Sequence, residues 1–131
     1  MVLKKLFQRN FFEFVKNNTH DVMMPDIKYS GGPDEMIELD KFFSKYDIEF
    51  SPHNPSGPIA HAHSIQICSV STPCLLEYQY KESDKFDSIM NILNTPIINS
   101  KVSTANSEKG LGVSINMENL LKDNVNSHNT Q

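Results

Sequence analysis

Apolar and polar positions follow a repeated grammar along this chain: a short apolar run, a turn, then a stretch with helical spacing. Asp21-Val22-Met23-Met24-Pro25-Asp26 reads as a short strand that runs into a turn at Gly31-Gly32. From Pro33 to Lys45 the residues Met36, Ile37, Leu39, Phe42 and Phe43 recur at the three-to-four spacing of one helix face. Pro33 suits the first turn of that helix, where its missing N–H has no partner to lose. Asp34 and Glu35 suit the same end, facing the positive pole of the helix dipole. Ile48-Glu49-Phe50-Ser51 is a second strand, followed by a turn over His53–Pro58. Ile59 to Val70 is then a helix of small and apolar residues, expected to be buried on most sides. Leu75-Leu76-Glu77 is a third strand. Ahead of all three, Leu6 to Val15 reads as a helix with Phe7, Phe11, Phe14 and Val15 on one face, a core-packing pattern.

Strands that alternate with helices at this spacing imply βαβ units and parallel strands. Parallel strands are normally covered on both faces within a larger sheet or barrel, and three are few for such an object. The remainder of the chain differs. Lys81 to Leu93 is polar with a weak helical pattern, and Asn94 to Lys109 is an Asn-, Ser- and Thr-rich loop with a short strand near Pro96-Ile97-Ile98. Met117 to Lys122 suits a last helical turn. Asn124 to Gln131 is a polar tail, expected to be disordered.

Composition narrows the classes. With 131 residues there is room for one domain and a modest core. A net charge of −4 gives no electrostatic footing for nucleic acid or an anionic membrane. No apolar run approaches the roughly 20 residues of a membrane helix, and Gln8, Arg9 and Asn10 interrupt the N-terminus too early for a signal peptide. A cytoplasmic location is therefore expected, with Cys68 and Cys74 as buried thiols rather than a disulfide.

An ionisable residue stands at the end of each strand: Asp26, His53 just past the second, and Glu77. Parallel α/β sheets and barrels open all their C-terminal strand ends on one face, where active sites are built. Singly, each has a plainer reading: Asp26 as a turn former, His53 before Asn54-Pro55 as an exposed or structural side chain, Glu77 as a solvated edge residue. Their repetition at three successive strand ends favours chemistry. A carboxylate beside His53 would fix its tautomer for proton transfer, and Glu77 would hydrogen-bond an anionic intermediate. His61 and His63 suggest a metal, but residues two apart on a helix face different ways, and zinc is not expected.

The three motifs together resemble the mandelate racemase/muconate lactonizing enzyme family of the enolase superfamily, closest in style to its galactonate dehydratase-like sugar-acid dehydratases. Met24-Pro25-Asp26-Ile27-Lys28-Tyr29-Ser30-Gly31-Gly32 resembles that family's sixth barrel strand, where an Asp precedes a Gly-Gly pair by five residues. Ser51-Pro52-His53-Asn54-Pro55-Ser56-Gly57-Pro58 resembles the seventh strand with its His, and Leu75-Leu76-Glu77-Tyr78-Gln79 the eighth with its Glu. Gly110-Leu111-Gly112-Val113 resembles the return toward a capping domain, although Asn106-Ser107-Glu108-Lys109 stands where the family usually has a Pro-containing turn. The muconate cycloisomerase branch carries a Lys at the position of Asp26, so the resemblance points to the racemase and dehydratase side. Lys28 matches no catalytic position of the family.

The resemblance implies a fold: part of a TIM (β/α)8 barrel, about its last three βα units plus a C-terminal extension. Residues 1–93 would be barrel, 94–123 the extension and 124–131 the tail. It also implies a mechanism. Mg²⁺ binds a substrate carboxylate, a base takes the neighbouring proton to give an enediolate, and a dehydratase then expels hydroxide. Asp26 would orient His53, His53 would move the proton, and Glu77 would bind an oxygen of the substrate. The family's metal ligands and opposite base lie on earlier strands, so this chain alone is expected to be catalytically incomplete. Its substrate would be a small carboxylate, a sugar acid by the style of the Asn54–Pro58 turn, with racemisation of a 2-hydroxy acid as the alternative. Self-association, or pairing with an N-terminal fragment, is expected through an open sheet edge.

Overall fold

In the computed structural model, the described residues are 11–17, 19–55, 57–71, 75–78, 90–92, 97–104, 109–119 and 121–122. Helical residues 11–16 lead into β1 (Val22–Met23), α1 (Pro33–Ser44), β2 (Glu49–Phe50) and α2 (Gly57–Cys68). The short strands β3 (Met90–Ile92), β4 (Ile97–Ile98), β5 (Lys101–Val102) and β6 (Val113–Ile115) follow. The fold is mixed α/β with few strands.

β1 and β2 pair in parallel, Val22 with Glu49 and Met23 with Phe50. The backbone ladder continues beyond the strands proper. Ser51 N–H donates to Met23 C=O at 3.0 Å and His53 N–H to Pro25 C=O at 3.0 Å. It ends on a parallel bridge between Asp26 and His53. Period-two burial makes this pairing worthwhile: Met23 and Pro25 are buried while Val22 and Met24 face out. The crossover between the strands is α1, whose Met36, Leu39 and Phe43 are fully buried against Met23, Ile48 and Phe50 of the sheet layer. Ile37 and Phe42 lie at the margin of that core.

The turn that starts α1 needs its two glycines. Gly31 and Gly32 both have φ 93°, a left-handed conformation that a Cβ strains. Gly32 C=O then accepts the N–H of Met36 at 3.1 Å and so opens the helix, with Pro33 at its first position.

Several expectations require correction. Residues 75–78 carry no strand; Glu77 is held by side-chain and loop hydrogen bonds instead of a ladder. Met90–Ile92 is a strand, antiparallel to β6, where a weak helical pattern was read; residues 81–89 lie outside the described residues. A stretch this short sets no helical period, so pairing with Val113–Ile115 decides the conformation. Phe14 does not share the buried face of Val15: it is half exposed and meets the His20 ring at 5.6 Å, since adjacent helical positions point about 100° apart. Phe7 lies outside the described residues, whereas Phe11 packs edge-on against Phe43 at 5.4 Å. The strand near Ile97-Ile98 is present as half of a hairpin with β5, and residues 117–119 and 121–122 are helical. Among the described residues no helix is long and apolar enough to cross a membrane.

Candidate active site

The parallel register puts Asp26 and His53 side by side at the ends of their ladder. Asp26 is buried, and its surroundings are built from its own turn. Its Oδ1 accepts the backbone N–H of Lys28 at 2.8 Å, and its main-chain carbonyl accepts from Tyr29 and Ser30 at 3.0 and 2.9 Å. That leaves Oδ2 facing His53 Nδ1 at 3.4 Å. This separation exceeds an ordinary hydrogen bond, of the sort that tightens when a site closes on its ligand. A carboxylate at Nδ1 favours the tautomer with its proton there, which leaves the Nε2 lone pair outward. The His53 side chain is 44% exposed against 7% for Asp26, so the basic nitrogen is open while its orienting partner is enclosed.

Glu77 completes the cluster from the other side. Its Oε2 lies 3.9 Å from His53 Nε2 and accepts the backbone N–H of Asn54 at 2.7 Å. The three residues singled out from the sequence therefore converge on one end of the β1–β2 pair, with His53 between two carboxylates. Such an arrangement suits proton transfer at Nε2 next to a hydrogen-bonding carboxyl.

Sequence reasoning missed Asn54 and His61 as participants. Asn54 is buried and its Nδ2 bonds both Glu77 C=O at 3.0 Å and His61 Nδ1 at 2.7 Å. His61 is buried on α2, and burial lowers its pKa below the ordinary 6.5. Its ring lies 5.3 Å from that of Tyr78. The available signal was a histidine one turn into a largely apolar helix, seven residues after an Asn in the preceding turn. His63 is half-buried and joins no such network. Lys28 points elsewhere: its ammonium sits over the Tyr29 ring, 5.2 Å from the centroid. Cys68 is a half-buried thiol, and Cys74 lies outside the described residues.

A magnesium ion prefers about six oxygen ligands in octahedral array, most often with carboxylates and waters. Asp26 spends one oxygen on a backbone N–H and turns the other to His53, and Glu77 spends Oε2 on Asn54. Among the described residues no group of three or more His, Cys, Asp or Glu is placed to hold a metal. These residues do not fit Mg²⁺.

A parallel β-α-β unit thus carries an imidazole at the end of its ladder, with a carboxylate on either side of the ring. The chain belongs to the enolase C-terminal domain-like family, whose model matches residues 8–119. It is 32% identical over 111 residues to a D-galactonate dehydratase of Xanthomonas campestris pv. campestris, covering 80% of this chain and 29% of that protein. A D-galactonate dehydratase of Pectobacterium atrosepticum is 25% identical over 131 residues, 95% of this chain and 34% of its own length. The chain thus spans about three-tenths of the curated relatives it matches. Among solved structures, a mandelate racemase/muconate lactonizing enzyme-like protein from Rubrobacter xylanophilus superposes with a TM-score of 0.75 at 23% identity. That match covers 86% of this chain and 28% of the other, and it bears on the fold alone.

Proposed function

We propose that this chain supplies one acid/base end of a sugar-acid dehydratase site, built on the last three βα units of a TIM barrel in a cytoplasmic enzyme. The observation that carries the reading is His53 held between Asp26 Oδ2 and Glu77 Oε2 at the parallel strand ends. In this reading Asp26 sets the tautomer of His53. Nε2 of His53 delivers or removes a proton at the substrate, and Glu77 hydrogen-bonds a substrate oxygen that gains negative charge. Loss of an α-proton and a β-hydroxide leaves an enol, which becomes a 2-keto acid.

The similarity to D-galactonate dehydratases supports a polyhydroxy carboxylate as substrate. Residues that polarise the substrate carboxylate, Mg²⁺ ligands included, then come from outside these 131 residues. The segment carrying them would pair along the β1–β2 sheet. The chain by itself gives no dehydration in that case.

A chimera tests this, with the Xanthomonas protein's matching segment replaced by this chain and 2-keto acid formation from D-galactonate measured. Dehydration should be present and should fall by about 10²- to 10⁴-fold on His53→Asn, the usual worth of a positioned acid/base group. A folded, active chimera that is indifferent to His53→Asn would defeat the assignment. Mg²⁺-dependent turnover by the 131-residue chain alone would defeat its incompleteness.

A further inference from the structure

Glu77 sits beside His53 without a strand ladder of its own in residues 75–78. What fixes it is a triangle of buried and partly buried polar contacts. Asn54 holds Glu77 twice, by its backbone N–H to Oε2 at 2.7 Å and by Nδ2 to the Glu77 carbonyl at 3.0 Å. The same Nδ2 lies 2.7 Å from His61 Nδ1. His61 in turn packs its ring on Tyr78, the residue after Glu77. One helix side chain therefore braces both the residue after His53 and the residue after Glu77.

The hydrogen count makes the arrangement directional. An amide nitrogen has two hydrogens; with one on the Glu77 C=O, the other is directed to His61 Nδ1. Turning the Asn54 amide over would set its Oδ1 against the Glu77 carbonyl, oxygen against oxygen. The ring nitrogen that receives the hydrogen must then be unprotonated, so a neutral His61 carries its proton on Nε2. Burial keeps the ring neutral, in agreement.

We propose that Asn54 and His61 are positioning residues, which set the approach of Glu77 to His53 by a tautomer-specific hydrogen bond rather than by filling space. This rests on the reading of His53 and Glu77 as one site, but its test needs no turnover. Amide hydrogen exchange at Asn54 reports the bond to Glu77, and ¹⁵N shifts of the histidine rings report the tautomer.

In the unaltered chain, His61 should show a pyrrole-type Nε2 and a pyridine-type Nδ1. His61→Asn, whose Oδ1 can take the place of Nδ1, should keep the Asn54 amide protected. His61→Leu, which restores volume but no acceptor, should lower that protection about tenfold, in line with the loss of one buried hydrogen bond. Glu77→Ala should lower it at least as much.

A protected Asn54 in folded His61→Leu overturns the proposal. So does a His61 proton on Nδ1 in the unaltered chain, a result that holds even if the variants do not fold. A chimera inactive for other reasons would defeat the functional reading while leaving these exchange results standing.

Discussion

The stretch from residue 19 to 71 and the stretch from 97 to 122 are built on different terms. The first holds a parallel strand pair and two helices around a core of Met23, Ile27, Met36, Leu39, Phe43, Ile48, Phe50, Ala60 and Ile67. The second consists of short antiparallel pairs and a helical turn. Of its described residues only Gly112 is buried, while Ile98, Met117 and Leu121 are more than half exposed. Asp26 and His53 of the candidate site stand on the first stretch, whose buried core gives them a rigid frame. Hydrogen bonds alone can hold a hairpin such as β4–β5 locally, but without buried apolar area they set nothing at a distance.

Phe43→Ala is the most severe way to probe that contrast. The ring is fully buried and touches Phe11, Phe42 and Phe50, so denaturant unfolding should show a loss of about 3–5 kcal/mol. A loss under about 1 kcal/mol would mean that this core is far looser than its burial implies.

Asp26→Ala comes next. It removes the acceptor of the Lys28 N–H inside a buried turn, and the same unfolding measurement should register about 1–3 kcal/mol. The same substitution in the chimera should impair turnover while substrate binding changes less.

The third probe is pH. His61 has a folded-state pKa below its ordinary 6.5, so the folded state binds fewer protons than the unfolded chain just below that pH. Its contribution to stability is complete above pH 6.5 and is lost as pH falls toward the folded pKa. Stability should decline over that window, and His61→Asn should flatten the decline. Asp40 runs the other way. Burial raises its pKa above 3.8, only partly offset by the Ser71 hydrogen bond and Lys41, so its contribution is lost as pH rises through the raised value.

The smallest effect belongs to the second stretch. Glu118 and Lys122 form a bonded pair four residues apart, both well exposed, and Glu118→Gln should shift stability by less than about 0.5 kcal/mol. A value near that for Asp26→Ala would erase the distinction between the two stretches.

Much of this molecule was legible in the chain itself. Periodicity placed α1 within a residue of its observed end and identified Met36, Leu39 and Phe43 as inward-facing, because a helix imposes its spacing on any apolar face. The paired runs ending in Asp26 and His53 announced parallel strands, since each was followed by a helix long enough to cross back. Gly31-Gly32 marked a turn that only left-handed backbone satisfies. Pattern could not say what holds Glu77. Residues 75–77 look like a strand, yet their partners are Asn54 and, through it, His61, both remote in sequence. A hydrogen-bond triangle has no period, so apolar spacing does not reveal it. The chain itself singled out Asp26, His53 and Glu77 as candidates and placed the first two at the ends of paired strands. Only the tertiary structure decided that His53 lies 3.4 Å from one carboxylate and 3.9 Å from the other, because those distances follow from the register of β1 on β2 and from the Asn54 hydrogen bonds that hold Glu77.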